Sequence, residues 1–135
     1  MDTINLATVM IRDLEGRLLA VRKKKSLYYM MPGGKIEPNE TYPEALAREL
    51  NEELGLAIQL TDLHFIGSHR AIAVNEKHTM VEANIFLLHI FDPFKISAKS
   101  EIEEIVWLTR DTYRQYKLAH LLEEFALPRW LNAGV

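Results

Sequence analysis

Gly34-Lys-Ile-Glu-Pro-Asn-Glu40, then seven residues, then Arg48-Glu49-Leu50-Asn51-Glu52-Glu53-Leu54-Gly55-Leu56: the reading of this stretch decides the fold. Its second half has the marks of a helix. Thr41-Tyr42-Pro43-Glu44 is a capping-box pattern, with Thr41 as N-cap and Glu44 able to reach back. Pro43 sits in the first turn, where a missing N–H does no harm. Gly55 fits the left-handed residue that follows a last turn. Together these signals predict a helix over 42–54. At about 100° per residue, Glu49, Glu52 and Glu53 share an arc of roughly 100°. Leu46, Ala47, Leu50 and Leu54 fall on the neighbouring arc, a stripe suited to packing on a sheet. Glu44 and Asn51 point to solvent.

Carboxylates this close repel one another. An acidic run on a helix is ordinarily a solvated face. The glycine loop before the run, the arginine and the closing glycine shift the reading to a divalent-metal site for phosphate chemistry. The pattern G-x5-E-x7-R-E-U-x-E-E-x-G-U, with U aliphatic, resembles the signature of the Nudix hydrolases. Gly34, Glu40, Arg48, Glu49, Leu50, Glu52, Glu53, Gly55 and Leu56 fill all nine defined positions. At ordinary residue frequencies a chance match is on the order of one in a hundred million. The motif covers 23 residues, and the rest of the chain matches only in length and order of elements.

The 135 residues are enough for one domain, 1–135, with a single sizeable core. Hydrophobic residues make up 48% and charged residues 26%, the balance of a soluble globular chain. A net charge of −3 gives no broad attraction to nucleic acid or anionic membrane, so neither is an expected partner. The absence of cysteine excludes disulfides, zinc–thiolate sites and cysteine nucleophiles. No apolar run is long enough to span a bilayer, and Asp2 with its polar neighbours is unlike a signal peptide. A cytoplasmic location is the default expectation.

Around the motif, Ile4–Ile11 and Arg17–Arg22 read as a strand pair joined by the turn Asp13–Gly16. Tyr28–Met31 is a short apolar segment before Pro32-Gly33-Gly34. Ile58–Ala73 reads as extended, broken near Gly67, and Asn75–His78 as a turn. Met80–Phe91 is a strand, apolar on both faces from Ile85 to Leu88 and so central in its sheet. Asp92–Glu101 is a loop and Ile105–Leu108 a short strand. Leu118, Leu121, Leu122, Phe125 and Ala126 recur at helical spacing, with Thr109 as candidate N-cap and Pro128 as the stop. Trp130 and Leu131 are suited to cover a core edge or an interface. The order β, β, β, α, β, β, β, α suits a mixed sheet between helices. The resemblance implies the same: an α/β fold, the Nudix-type α/β/α sandwich with a central mixed β-sheet.

The resemblance further implies metal-dependent hydrolysis of a phosphoanhydride, NDP-X to NMP plus P-X, in a small nucleotide-type substrate. Magnesium or manganese would be the cofactor. Glu49, Glu52 and Glu53 would be metal ligands or the base, with Glu49 favoured as base and Arg48 orienting a carboxylate. Gly33 would offer a carbonyl to the metal, and Gly34 a close backbone approach to metal or phosphate. Glu40 would be structural, and Glu37 is read as surface. A further carboxylate is expected from Glu101, Glu103 or Glu104, with Glu104 chosen. Arg22 and Lys35 are candidate phosphate contacts; a solubilising basic patch is the plainer reading of Arg22 and its neighbours. Tyr28, Tyr29, Phe86 and Trp107 are candidates to stack a base, and His69, Arg70 and His78 to face the cleft. Each of these has a bland alternative in core or surface packing. A homodimer is compatible with the resemblance. Two rival classes remain: a Nudix-fold sensor that binds a nucleotide without cleaving it, and an interaction module whose acidic helix meets a basic partner.

Overall fold

From Ala7 to Ile11 the chain is buried on both sides, and its residues alternate between two separate cores. That alternation is the period-two signature of a strand covered on both faces. In the computed structural model, which describes residues 1–133, this segment is the middle of β1 (Asp2–Arg12). The strands that follow are β2 (Leu18–Lys23), β3 (Tyr29–Met30), β4 (Gly33–Lys35), β5 (His64–Ile72), β6 (Thr79–His89) and β7 (Ile102–Leu108). All seven form one sheet. β1 runs parallel to β6 along its whole length, from Asp2 opposite Thr79 to Arg12 opposite His89. Its other edge pairs antiparallel with β4 and, at Arg12, with β2. β5 flanks β6, and β3 and β7 flank β2, all antiparallel. The sheet is therefore mixed, as expected.

Helix α1 (Tyr42–Leu54) covers one face. Its Leu46, Leu50 and Leu54 share a core with Val9, Ile11, Leu19, Val21, Phe86 and Leu88. The other face meets the C-terminal segment, where Leu122, Phe125 and Trp130 pack on Met10, Leu18, Ala20 and Ile85. This is the α/β/α arrangement. The ends of α1 fall where the sequence puts them. Thr41 Oγ1 accepts from the Glu44 amide, Glu44 returns the bond to the Thr41 N–H, and Gly55 adopts φ 65°.

The tail departs from expectation. Thr109 caps no helix; its hydroxyl bonds to Thr112 within a tight turn. The helical segment begins near His120, widens to a π turn over Leu122–Ala126, and continues as α2 (Leu127–Asn132). Pro128 therefore lies inside the helix and does not end it. A proline removes an N–H and crowds the preceding turn. The π turn loosens that stretch, and the Arg129 guanidinium donates to the Phe125 carbonyl at 2.9 Å. Trp130 is buried, and its Nε1 donates to the Gly16 carbonyl at 2.7 Å, closing the first hairpin against the last helix. β7 begins earlier than the apolar run indicates, and β5 carries an irregularity between Phe65 and Gly67, where the break was expected.

Packing, more than capping, holds α1 in place. Leu50→Ala should cost about 2–5 kcal/mol by opening a cavity under the helix, and Thr41→Ala about 1 kcal/mol. Urea unfolding of both variants checks the order; a costlier cap would overturn it.

Candidate active site

The acidic arc of α1 lies against β4, and two glycines make that approach feasible. Gly33 sits opposite Thr8 with φ 141°, and a Cβ there would run into the Ala7 backbone. A Cβ on Gly34 would fall 2.5 Å from the Glu49 carboxyl carbon. Glu49 thus occupies the volume that any other residue at position 34 would need.

Arg48 organises the carboxylates around it. Its Nε and Nη2 donate to the two oxygens of Glu40 at 2.7 and 3.0 Å, a bidentate pair. Its Nη1 donates to Glu49 Oε1 at 2.9 Å, and Nη2 also to the Lys35 carbonyl at 3.1 Å. Glu52 and Glu37 stand further off, at 3.6 and 3.7 Å. The Arg48 bonds, followed by the Glu37 amide, hold the Glu40 carboxyl below its ordinary range. Glu40 is thus a brace at the entry to the helix.

Glu53 differs from its neighbours. It is 6% exposed, and its Oε1 is buried with no hydrogen-bond partner. Burial, helped by the charges of Glu49 and Glu101, pushes its carboxyl from 4.5 up to about 7, against the pull of Lys23 and the Gly33 amide. Burial also raises Glu49, with Arg48 opposing. Among the described residues, no three carboxylate or imidazole side chains converge closely enough to hold an ion by themselves. The donors do suit a hard cation. The orphaned oxygen of Glu53 and the carboxylate of Glu49 lie along a glycine backbone, and magnesium commonly completes its shell with water and substrate oxygens.

Arg48, Glu49, Glu53, Gly33 and Gly34 are thus brought together. Glu52 lies at the rim, with its side chain 55% exposed. Glu104 is engaged elsewhere: it accepts from Tyr29 Oη at 2.7 Å and Arg22 Nε at 3.1 Å, and those bonds lower its carboxyl. Of the three acidic candidates before Ile105, Glu101 is the one whose charge acts on Glu53. Arg22 is tied to Glu104 and to the Ser26 carbonyl. Lys23 is the basic residue felt by both Glu49 and Glu53.

On the other side of Gly33 and Gly34 lies a cavity of about 140 Å³. Lys23 and Lys35 line it beside the glycines, Ile72, Val74 and Val81 form an aliphatic wall, and Met30 and Met31 close it. None of Tyr28, Tyr29, Phe86, Trp107, His69, Arg70 or His78 is part of its lining. Phe86 is in the core, and His69 pairs with Glu124. The polar groups that do face the cavity include Thr8, Asn75 and His120, which no motif in the sequence marks.

A raised carboxyl makes stability depend on pH. Glu53 binds its proton more tightly folded than unfolded, so its favourable contribution is complete below about 4.5 and is lost as pH rises through about 7. In metal-free protein the loss should be about 2–4 kcal/mol. Glu53→Gln should flatten this slope and be the more stable form above pH 7, as chemical unfolding in chelator between pH 4.5 and 8 would show.

Comparisons with known proteins identify the family. The NUDIX domain family model matches residues 3–127. An octanoyltransferase from Myxococcus xanthus is 31% identical over 80% of this chain, and a CTP pyrophosphohydrolase from Escherichia coli K12 is 35% identical over 69% of it. The chain spans 30% of the first protein's length and 67% of the second's. The solution structure of the E. coli ORF135 protein superposes with a TM-score of 0.68 at 26% identity, covering 100% of this chain and 96% of that one. The chain belongs to the NUDIX domain family.

Proposed function

We propose that this chain hydrolyses a phosphoanhydride bond in a small nucleotide-type molecule, taking NDP-X to NMP plus P-X. The observation that carries the reading is the position of Glu53 and Glu49. They form a desolvated carboxylate pair, one with an unpartnered oxygen, separated by bare glycine backbone from a lysine-fringed cavity. The E. coli relative is a CTP pyrophosphohydrolase, an activity of the same kind.

Glu49, Glu52, Glu53 and the Gly33 carbonyl would hold Mg²⁺ or Mn²⁺. Glu101 would be the further carboxylate in place of Glu104, which is occupied by Tyr29 and Arg22. When bound, the ion supplies charge neutralisation on the phosphates and a more acidic water. The remaining work falls to the protein. Water oxygen bonds to one phosphorus, the P–O–P bridge breaks, and the bridging oxygen leaves on the other phosphate. The proton lost by water needs an acceptor whose affinity lies near neutrality. Glu49, favoured by the resemblance, and Glu53 are the buried carboxylates at hand, and the one not taken up as a ligand would accept that proton. Arg48 orients Glu49 and keeps its own charge on the Glu40 brace. Lys23 and Lys35, which line the cavity, would meet phosphate in preference to Arg22, which is bonded to Glu104.

The test is a panel of nucleoside triphosphates and diphosphate-linked nucleotides, with Mg²⁺ or Mn²⁺, using wild type, Glu52→Gln and Glu53→Gln. At least one compound should be cleaved, with turnover abolished by chelator and reduced at least a hundredfold in each variant, about 2.7 kcal/mol of barrier. Wild-type turnover in a variant would remove that glutamate from the mechanism. Tight nucleotide binding without cleavage would point to a sensor.

A further inference from the structure

The cavity behind the two glycines carries polar groups that the hydrolytic reading does not use. Thr8 is 3% exposed, lines the cavity, and its Oγ1 is buried with no hydrogen-bond partner. A buried hydroxyl left unmatched is costly, and it reads as a place kept for a ligand. Asn75 and His120 line the same space, and each is fixed from behind. Buried Ser26 accepts from the Tyr28 amide and donates to Asn75 Oδ1 at 3.0 Å. With its oxygen engaged, Asn75 has its NH₂ left to offer. His120 Nδ1 lies 2.9 Å from the Ile72 carbonyl. A carbonyl only accepts, so Nδ1 carries a proton, and in that tautomer Nε2 is the acceptor.

The walls between these groups are mainly aliphatic and thioether, with Lys23, Lys35 and Glu76 also in the lining and no Phe, Tyr or Trp. Such a space grips a flat ring by its faces and reads its rim by hydrogen bonds. We propose that Thr8, Asn75 and His120 are the specificity-determining residues of this chain. They take a heterocyclic base whose rim carries both an acceptor, for Asn75, and a donor, for His120, with Thr8 Oγ1 bonding a third rim atom. Ser26 is a positioning residue that acts through Asn75. The proposal rests on the hydrolase reading only for the phosphates that Lys23 and Lys35 would meet; the base contacts stand apart from the chemistry.

The experiment measures equilibrium binding, without metal, of the common nucleoside 5′-monophosphates and of ribose 5-phosphate by NMR titration. At least one nucleotide should bind wild type more tightly than ribose 5-phosphate does. Asn75→Asp, which exchanges a donor for an acceptor at equal size, should weaken that nucleotide at least about tenfold, as should His120→Ala. Neither should change ribose 5-phosphate binding. Ser26→Ala should weaken the nucleotide less than Asn75→Asp does. Thr8→Val should raise the melting temperature by removing an unmatched hydroxyl and yet weaken the nucleotide, a pair of effects that a purely structural threonine would not give. Unchanged nucleotide affinity in Asn75→Asp and His120→Ala, or no base-dependent binding by wild type, overturns the proposal. Turnover in wild type with KM unmoved by these variants would sink the base contacts and spare the hydrolase. Base-dependent binding lost in the variants, with no compound ever cleaved, would do the reverse.

Discussion

Everything in this site depends on how little material separates α1 from β1. Only the backbone of Gly33 and Gly34 passes between the Glu49 carboxylate and the cavity face of the sheet. The two requirements are steric and they coincide. A side chain at 33 would collide with β1, and one at 34 would displace Glu49. A backbone ribbon therefore puts carboxylate oxygens and ligand space within a few ångströms of each other, with peptide groups facing both.

That closeness has an electrostatic cost, and the fold distributes its relief unevenly. Arg48 spends most of its hydrogen bonds on Glu40 and Glu49. Glu53, deeper and next to no guanidinium, has only Lys23 and a peptide dipole in its favour. Burial raises the carboxyls of both Glu49 and Glu53, and Arg48 opposes the shift at Glu49. Exposed Glu52, 3.6 Å from Arg48 Nη1, stands at the rim of the pair.

The helix and its caps were legible because their causes are local: a capping box, an early proline and a glycine in the left-handed region all act within a few residues. The strands of the first hairpin and the central β6 were legible for the same reason, through alternation and apolar runs. What the sequence could not reveal was register. β2 meets β7 with Arg22 opposite Glu104 and Lys23 opposite Ile102, so Glu103 is skipped. Regular register pairs Arg22 with Glu104 across the strands; the slip falls just after it, and Lys23 and Glu101 act on the acidic helix. No composition rule predicts where such a slip falls. Pro128 misled for a related reason, since a π turn and Arg129 absorbed a residue that ordinarily stops a helix. Asn75 and His120 come from a turn and from the start of the tail segment, and only the tertiary fold brings them together.

The long parallel seam between β1 and β6 also bears on how the molecule is made. Asp2 finds its neighbour at Thr79, and Arg12 at His89. During synthesis the first strand must wait for most of the chain before its main edge is covered. Until then only short-range partners, β2 and β4, are within reach. Such distant pairings slow the search for the native state and leave an apolar ribbon bare in the meantime. The nascent polypeptide therefore passes through an interval in which chaperone capture or self-association competes with closure of its own sheet.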